Sequence, residues 1–220
     1  MAHPLWPLYD LHLRTDRLEL RLPTEDEIVD LSALAQAGIH PADEMPFAVP
    51  WSRKPSPRFE REFYQFHLKL RADWRPESWS LVLGVFLDGR PIGVQELAAN
   101  DFASLRLVAT GSWLGQAFQR QGHGTAMRGA VLALAFEGLG AEVAETSAFL
   151  DNPGSAGVSR ALGYAPNGFG RLAPDGVPRE TEKFRMTSEL WRARPRPPVA
   201  IEGLAACLDL FGVAPTAQID

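Results

Sequence analysis

The pattern of apolar and polar positions along the chain predicts an alternation of strands and helices. Residues 18–22 (LELRL) alternate apolar and charged side chains, which is the period of a half-buried strand. Thr24 has the character of a helix N-cap, and apolar residues from Ile28 to Ala35 then recur at helical spacing. A second amphipathic helix is predicted over residues 58–72. Its apolar stripe would consist of Phe59, Phe63, Phe66 and Leu70.

The middle of the chain predicts a hairpin followed by a strand–helix–strand unit. Residues 79–87 and 91–97 have strand character, and Asp88-Gly89 between them is a preferred two-residue hairpin turn. Further strands are predicted over 105–114, 143–149 and near 183–187, and further helices over 122–136 and 153–162. The order β-α-α-β-β-β-α-β-α-β-β predicts a mixed α/β (α+β) fold, with a mixed sheet of about six to seven strands flanked by four helices.

A proline-rich stretch divides the C-terminal part of the chain. A length of 220 residues allows one large domain with or without an appendage. Residues 194–198 (RPRPP) cannot continue a helix or a central strand. We therefore predict a main domain over residues 1–193, then a linker and a C-terminal appendage over residues 194–220. The appendage has apolar side chains that must pack on the main domain or close a dimer: Leu204, Cys207, Leu208 and Phe211.

Composition and charge exclude several classes of function. The formal net charge is −5 and no run of Lys or Arg occurs, so broad binding to nucleic acid or to an anionic membrane is not expected. Cys207 is the only cysteine, which excludes an internal disulfide and a cysteine-based zinc cluster. The histidines lack metal-ligand spacing, so no metal is implied. There is no secretory leader and no apolar run of about 20 residues, so a cytoplasmic protein is expected.

A glycine-rich turn between a predicted strand and a predicted helix carries the candidate chemistry. It consists of Gln119, Arg120, Gln121, Gly122, His123, Gly124 and Thr125. Glycines let backbone amides approach a ligand, and a helix N-terminus adds partial positive charge, so the turn predicts a cradle for phosphate. Arg120 would add a charged contact to the anion. The alternative is a turn that only joins a strand to a helix.

Two other phosphate-binding motifs do not match this turn. The dinucleotide fingerprint G-x-G-x-x-G requires a third glycine at the position of Met127. The P-loop requires Gly-Lys-Ser/Thr, and this tripeptide does not occur in the chain. An unrelated nucleotide-binding α/β enzyme is therefore a weaker alternative.

The stretch 119–124 (QRQGHG) resembles motif A of the GNAT superfamily of N-acyltransferases. Residues 151–155 (DNPGS), residues 162–164 (LGY) and the opening stretch 15–26 resemble the RimJ/RimL-like branch of that superfamily. Residues 45–51 (MPFAVPW) are similar to an actinobacterial subgroup that contains acetyl- and succinyltransferases. The resemblance implies the GNAT fold, in which the central sheet is splayed.

The resemblance covers about residues 8–190 and implies an acyl-CoA-dependent N-acyltransferase. A primary amine would attack the thioester directly in a ternary complex. Acetyl-CoA or succinyl-CoA would be the co-substrate without any metal, and the acceptor would be a protein N-terminus or a small-molecule amine. A homodimer or higher homo-oligomer is expected. The residues implied in binding coenzyme A are Trp113, Leu114, Gln119, Arg120, Gln121, Gly122, His123, Gly124, Thr125, Asn152 and Ser155.

The resemblance also implies catalytic roles, with one departure from the usual pattern. The backbone N–H of Leu114 would stabilise the thioester oxygen. Many relatives have a tyrosine as thiolate acid where this chain has Ser159, so Ser155 is the candidate acid here. Its alternative role is to begin or cap a helix. Glu96 is the candidate base, and its alternative is a solvated strand residue. His123 is expected to be a bystander in the turn rather than a catalytic group.

Side chains of the early helices and their loop are the candidates for binding the acceptor. They are Glu44, Phe47, Trp51 and Trp79, and Glu44 is also a second candidate base. The alternative for the aromatic residues is ordinary packing. Arg53, Lys54 and Arg58 would hold the carboxylate of a succinyl group if succinyl-CoA is the donor, although such a cluster is usually a solvated face.

Two further functions remain open at this point. Because the usual tyrosine is absent, the chain could be a module that binds coenzyme A without catalysing transfer. Because of the C-terminal appendage, it could also be a structural or interaction protein. Binding of coenzyme A and release of its thiol distinguish these alternatives from the enzyme.

Overall fold

A computed structural model describes residues 3–213, which form one nine-stranded mixed sheet with helices on both faces. The order of the strands in the sheet is β7-β8-β6-β5-β4-β3-β2-β1-β9. Their bounds are β1 His12–Arg14, β2 Leu18–Arg21, β3 Ser78–Leu87, β4 Arg90–Asn100, β5 Leu107–Leu114, β6 Val143–Phe149, β7 Ala165–Leu172, β8 Arg179–Thr187 and β9 Ala200–Glu202. All neighbouring strands are antiparallel except β5 and β6, which are parallel.

Six α-helices connect these strands. Their bounds are α1 Glu25–Ala37, α2 Arg58–Ala72, α3 Phe102–Leu105, α4 His123–Ala133, α5 Pro153–Leu162 and α6 Ser188–Arg192. The start of α1 is fixed by a capping box in which the Thr24 side chain accepts from the Glu27 backbone and Glu27 accepts from Thr24 in return. The helix α4 continues as a π-helical turn over Leu134–Gly138. The predicted mixed α/β architecture is therefore confirmed.

The helices form two layers with separate apolar cores. On one face, α1 and α2 pack their buried side chains against β3 and β4, where Val82 and Val94 face them. On the other face, α4 packs on β2, β4 and β5 and contacts α5, and this larger core includes Met127 and Val131. Period-2 alternation along β3 and β4 supplies apolar side chains to both faces, as expected for a sheet covered on both sides.

One detail of the predicted α2 stripe is wrong. Phe59 and Phe63 are buried, but Phe66 is 48% exposed and His67 is 3% exposed. The buried positions thus recur at an interval of four residues, and the side chain one turn after Phe63 on the same face is His67. The sequence prediction followed hydrophobicity at this position, whereas the helix geometry buries an imidazole.

The sheet has nine strands, two to three more than the predicted six to seven. Strand β1 pairs with β2, and β9 adds to the outer side of β1, with His12 opposite Glu202 and Arg14 opposite Ala200. Arg14 also forms an ion pair with Glu202. Strands β1 and β9 have three residues each, which is too short for an alternation pattern to be recognised.

Apolar residues of the C-terminal segment pack on the rest of the chain. Cys207 and Phe211 are fully buried. The ring centroid of Phe211 lies 5.5 Å from that of Trp74 and 4.9 Å from that of Trp79. The indole N–H of Trp74 donates to the carbonyl of Leu210 at 2.8 Å. Within residues 3–213, no helix is both long and apolar enough to cross a lipid bilayer.

Candidate active site

A cleft opens where the two parallel central strands separate. β5 and β6 pair only from Leu107 opposite Val143 to Ala109 opposite Glu145. Beyond that point β5 continues along β4 as far as Leu114, while β6 continues along β8. The separated halves of the two strands border a cavity of about 1510 Å³. This is larger than the ~300–1,000 Å³ of a typical small-ligand pocket, so the cleft has room for two substrates.

The glycine-rich turn lies at the mouth of this cleft. Arg120 and Gly122 both have left-handed backbone conformations, with φ of 60° and 85°. This geometry reverses the chain into α4, which begins at His123 with no side-chain cap. The first amides of α4 are therefore available to an anion, and the helix dipole adds to the attraction. Arg120, Gly122, Gly124 and Thr125 line the cavity.

Other residues of the turn hold its shape. The Gln119 side-chain amide donates to the carbonyls of Ile39 and Leu114, both at 2.8 Å, and so ties the turn to the end of β5. The Gln121 amide donates to the carbonyl of Ala117 at 2.7 Å. Gln121 and His123 are not among the residues that line the cavity. Gln119 does line the cavity, but its side-chain N–H groups already donate to two backbone carbonyls.

His123 is a buried side chain of α4. It is 2% exposed, and its Nε2 has no hydrogen-bond partner within the described residues. Burial and the nearby Arg17 lower the pKa of His123. The His123 imidazole is therefore enclosed in the fold and does not line the cavity.

The candidate base lies on β4, against a glycine of β5. Glu96 is opposite Gly111 in the β4–β5 ladder and lines the cavity. The Ser80 hydroxyl donates to Glu96 Oε1 at 2.6 Å, which fixes the carboxylate. A Cβ atom at position 111 would lie 2.8 Å from Glu96 Oε2, so only glycine leaves room for the carboxylate in this position. The structure thus brings Glu96 into the cleft.

The start of α5 borders the cleft on the β6 side. Asn152 is the N-cap of α5, and its side-chain oxygen accepts from the backbone N–H of Ser155 at 3.1 Å. Asn152 therefore performs the capping that was the alternative role of Ser155. Ser155 is half-buried and lines the cavity, as do Trp113 and Leu114 of β5.

An aromatic wall forms the opposite side of the cavity. It consists of Phe47, Trp51, Phe59, Phe63 and Trp113, all of which line the cavity. The Trp51 ring is its centre, with centroids 5.0 Å from Phe47, 5.8 Å from Phe63 and 6.0 Å from Trp113. Two of the predicted acceptor residues, Phe47 and Trp51, thus lie in this wall. Glu44 is exposed and also lines the cavity.

Trp79, the fourth predicted acceptor residue, lies elsewhere. It is 3% exposed and packs against Trp74, Phe102 and Phe211 in the larger core. Its position at the start of β3 is remote from the cavity lining because residues at that end of the strand face the C-terminal segment. The prediction that Trp79 binds the acceptor is wrong.

An ion pair and a hydrogen bond connect the loop between α1 and α2 with the β7–β8 hairpin. Arg53 pairs with Asp175 of the β7–β8 turn at 2.8 Å, and Arg179 donates to the carbonyl of Met45 at 2.5 Å. Lys54 and Arg58 both pair with Glu62. The three cations considered for a succinyl carboxylate are therefore each paired with a carboxylate of the chain, which disfavours that role.

Comparison with known proteins decides the family. Residues 17–165, well over half of the chain, match the family described as "Acetyltransferase (GNAT) domain". The chain belongs to the GNAT acetyltransferases. The family expected from the glycine-rich turn is thereby confirmed, and so is the splayed sheet that the family implies.

Solved structures show the same fold at low sequence identity. Mycobacterium smegmatis RimJ in complex with CoA-disulfide is 19% identical with a TM-score of 0.69, covering 92% of this chain and 95% of that chain. RimL, the ribosomal L7/L12 alpha-N-protein acetyltransferase in complex with coenzyme A, is 15% identical with a TM-score of 0.63, covering 79% and 95%. Microcin C7 self-immunity acetyltransferase MccE in complex with acetyl-CoA and AMP is 17% identical with a TM-score of 0.61, covering 78% and 93%.

The cleft of this GNAT domain contains two buried polar residues that sequence reasoning did not select. His67 of α2 lines the cavity, and burial with a contribution from Arg71 lowers its pKa to about 4. Arg128 of α4 also lines the cavity and is 4% exposed. The only sequence signal for Arg128 was a charged residue beside the apolar stripe of a predicted helix.

Within the described part of the chain, no group of three or more His, Cys, Asp or Glu side chains could hold a metal ion.

Proposed function

We propose that this GNAT protein is an acyl-CoA-dependent N-acyltransferase that moves an acetyl or succinyl group from coenzyme A to a primary amine. The observation that carries the proposal is a single continuous cleft. It begins at the uncapped N-terminus of α4 and continues between the separated strands β5 and β6 to the carboxylate of Glu96.

The turn at α4 fits the phosphates of coenzyme A. Its free amides and the guanidinium of Arg120 match the charge of a pyrophosphate. The β6-facing backbone of β5 around Trp113 and Leu114 borders the path for the arm that carries the thioester. Bound there, coenzyme A supplies an acyl carbonyl activated as a thioester.

The residues of the chain would then position the amine and remove its proton. Glu96, fixed by Ser80, would accept a proton from the attacking amine directly or through one water. The Leu114 N–H would stabilise the carbonyl oxygen during attack, and the Ser155 hydroxyl would donate a hydrogen bond to the sulfur. Most of the rate enhancement would come from holding the amine and the thioester together.

The acceptor would enter between the aromatic wall and the loops above it. Phe47 and Trp51 provide apolar contact area, and Glu44 at the entrance attracts an ammonium group. A protein N-terminus or a small-molecule amine fits this combination of an apolar wall with an acidic entrance. Structural similarity to RimJ and RimL supports a test of N-terminal peptides first.

Two glycines that flank α4 and its π-helical turn provide a matched test of the donor site. Gly122 and Gly140 both have positive φ, at 85° and 71°, and a Cβ atom on either would meet nothing within 4 Å. Gly122 is in the turn, whereas Gly140 follows the other end of the helix. Valine at either position strains the backbone similarly.

We expect Gly122→Val to weaken acetyl-CoA binding at least about 10-fold by calorimetry, because the strained turn misplaces the amides. Gly140→Val should keep the wild-type affinity at a similar loss of thermal stability. Mass spectrometry of a panel of N-terminal peptides and small amines, incubated with acetyl-CoA or succinyl-CoA, then identifies the donor and acceptor. Wild-type protein that binds neither thioester would refute the proposal, and tight binding without any transfer would favour a module that only binds coenzyme A.

A further inference from the structure

A buried arginine faces the cleft without a carboxylate partner. Arg128 donates from Nη1 to Ser159 Oγ at 2.9 Å and from Nη2 to Ser112 Oγ at 3.2 Å. Ser159 is itself fully buried and donates to the carbonyl of Ser155 at 3.3 Å. Among the described residues, the Arg128 guanidinium takes part in no salt bridge. Its positive charge is therefore balanced only by neutral hydroxyl dipoles.

The Arg128 side chain is also incompletely paired. Arg128 Nε is buried without a hydrogen-bond partner in the described part of the chain. Leaving a buried polar group unpaired is unfavourable, and leaving a buried charge without a counter-charge is more so. Burial accordingly lowers the pKa of Arg128, although a guanidinium keeps its proton at neutral pH. A group with this energetic penalty, facing a substrate cleft, is suited to an anion that arrives from outside the chain.

The depth of Arg128 in the cleft indicates which anion this is. Arg128 is six residues into α4 after Gly122, about 9 Å along the helix axis at 1.5 Å per residue. Ser112, which accepts from the guanidinium, is two residues before Leu114, the last residue of β5, about 7 Å along the strand at 3.3 Å per residue. The guanidinium therefore contacts the part of β5 that has separated from β6, rather than the turn where a phosphate would bind. The anions that an acyl transfer creates in this part of the cleft are an oxyanion, which the Leu114 N–H would stabilise, and a thiolate.

We propose that the Arg128 guanidinium stabilises the thiolate that coenzyme A becomes when the amine displaces it. This inference rests on the proposed acyltransferase function. The nitrogen lone pair of the amine attacks the carbonyl carbon, so that the C–N bond forms and the C–S bond breaks. The electron pair of the C–S bond goes to sulfur, and the surplus proton of the amine goes to Glu96 or to water. The sulfur then needs no proton donor, because a neighbouring guanidinium lowers the pKa of a thiol enough for it to leave as the anion.

The direct test is a titration of the coenzyme A thiol in its complex with the protein. The absorbance of the thiolate in the ultraviolet reports the ionised fraction, with the desulfo-coenzyme A complex as the blank. Cys207 is the only thiol of the chain, and burial raises its pKa to about 11, so it stays protonated through the titration. Wild-type protein, Arg128→Lys and Arg128→Met are compared.

We expect the bound thiol of the wild-type complex to have a pKa about 1–3 units below that of free coenzyme A titrated under the same conditions. In Arg128→Met the pKa should return to that of the free thiol or above it, and Arg128→Lys should be intermediate because it keeps the charge without the planar donors. The kcat of Arg128→Met should fall about 10-fold or more, while the Kd for acetyl-CoA changes less than about 3-fold.

Each other result contradicts the inference. A bound thiol with an unshifted pKa in the wild-type complex overturns it without any variant, so a failure of Arg128→Met to fold does not remove the test. If Arg128→Met leaves the thiol pKa as low as in wild type but weakens succinyl-CoA much more than acetyl-CoA, then Arg128 binds an acyl carboxylate instead. Wild-type protein that binds no coenzyme A refutes the proposed function itself, whereas binding with an unshifted thiol refutes only this inference.

Discussion

Replacing Gly111 with alanine tests the role of Glu96 without altering any ionisable group. The new methyl carbon would lie 2.8 Å from Glu96 Oε2. Carbon and oxygen in ordinary contact are at least about 3.3 Å apart, so the carboxylate must move by about 0.5 Å or rotate away from its bond with Ser80. A displacement of about 1 Å in a catalytic group costs on the order of 100-fold in rate. We therefore expect Gly111→Ala to lower kcat about 10- to 100-fold.

The assay uses the donor and the amine identified by the acceptor screen, and measures kcat, KM and acetyl-CoA affinity separately. Acetyl-CoA affinity should stay near the wild-type value, because Gly111 faces the α1–α2 side of the sheet with Glu96. Gly129→Ala is a matched control, since its added methyl group meets only Leu162 Cδ2 at an ordinary 3.7 Å. It should leave kcat unchanged.

A double-mutant cycle makes the reasoning refutable. If Gly111→Ala acts through Glu96, it should have no further effect in a Glu96→Gln background, where the base is already lost. Additive losses would show that alanine disturbs the strand independently of Glu96. Full activity of Glu96→Gln would show that Glu96 is not the base, whatever the effect at Gly111.

Two further predictions separate the roles of other cleft and core residues. Trp51→Ala should raise the KM for the amine with little effect on unfolding, whereas Trp79→Ala should leave that KM unchanged and lower the free energy of unfolding by about 3–5 kcal/mol, as measured by chemical denaturation. For His67, the folded-state pKa of about 4 is below the unfolded value of 6.5, so the unfolded state binds a proton first as the pH falls. Its contribution to stability is therefore complete above pH 6.5 and decreases towards pH 4, by about 2 kcal/mol between pH 7 and pH 5. Chemical denaturation at both pH values should show that the free energy of unfolding of His67→Phe changes by about 2 kcal/mol less than that of the wild-type protein. An equal change in the two proteins would mean that His67 does not titrate as described.

Strong local signals allowed much of the fold to be predicted from the sequence. The bounds of α2 and β6 agree with the predicted residues 58–72 and 143–149, because clear periodicity and flanking prolines or glycines defined them. The hairpin at Asp88-Gly89 and the Thr24 N-cap of α1 were likewise predicted from local sequence signals. Strand β9 could not be predicted because it is defined by pairing with β1, up to 190 positions away, and neither of these three-residue strands has a recognisable internal pattern.

The parts of the candidate site that a local motif specifies through backbone conformation could be predicted from the sequence. The parts that depend on which side chains become buried together could not. The turn at Gly122 was expected because glycine spacing constrains backbone conformation directly. The structural role of Gln119 depends on two carbonyls from distant parts of the chain, and the position of Arg128 depends on hydroxyls of β5 and α5. The misassignment of Trp79 has the same origin, because an indole in a core and an indole in a pocket look identical in sequence.

The addition of β9 to the outer side of β1 has a consequence for how the protein is made. Strand β1 has no partner on its outer side until the last 20 described residues have been synthesised. Until then, Trp74 and Trp79 also lack their contacts with Phe211. A nascent chain on the ribosome therefore has an open strand edge and an exposed indole pair, both of which favour association with other chains. Among the described residues, the strand that is synthesised last is therefore the one that covers the outer side of the strand that is synthesised first.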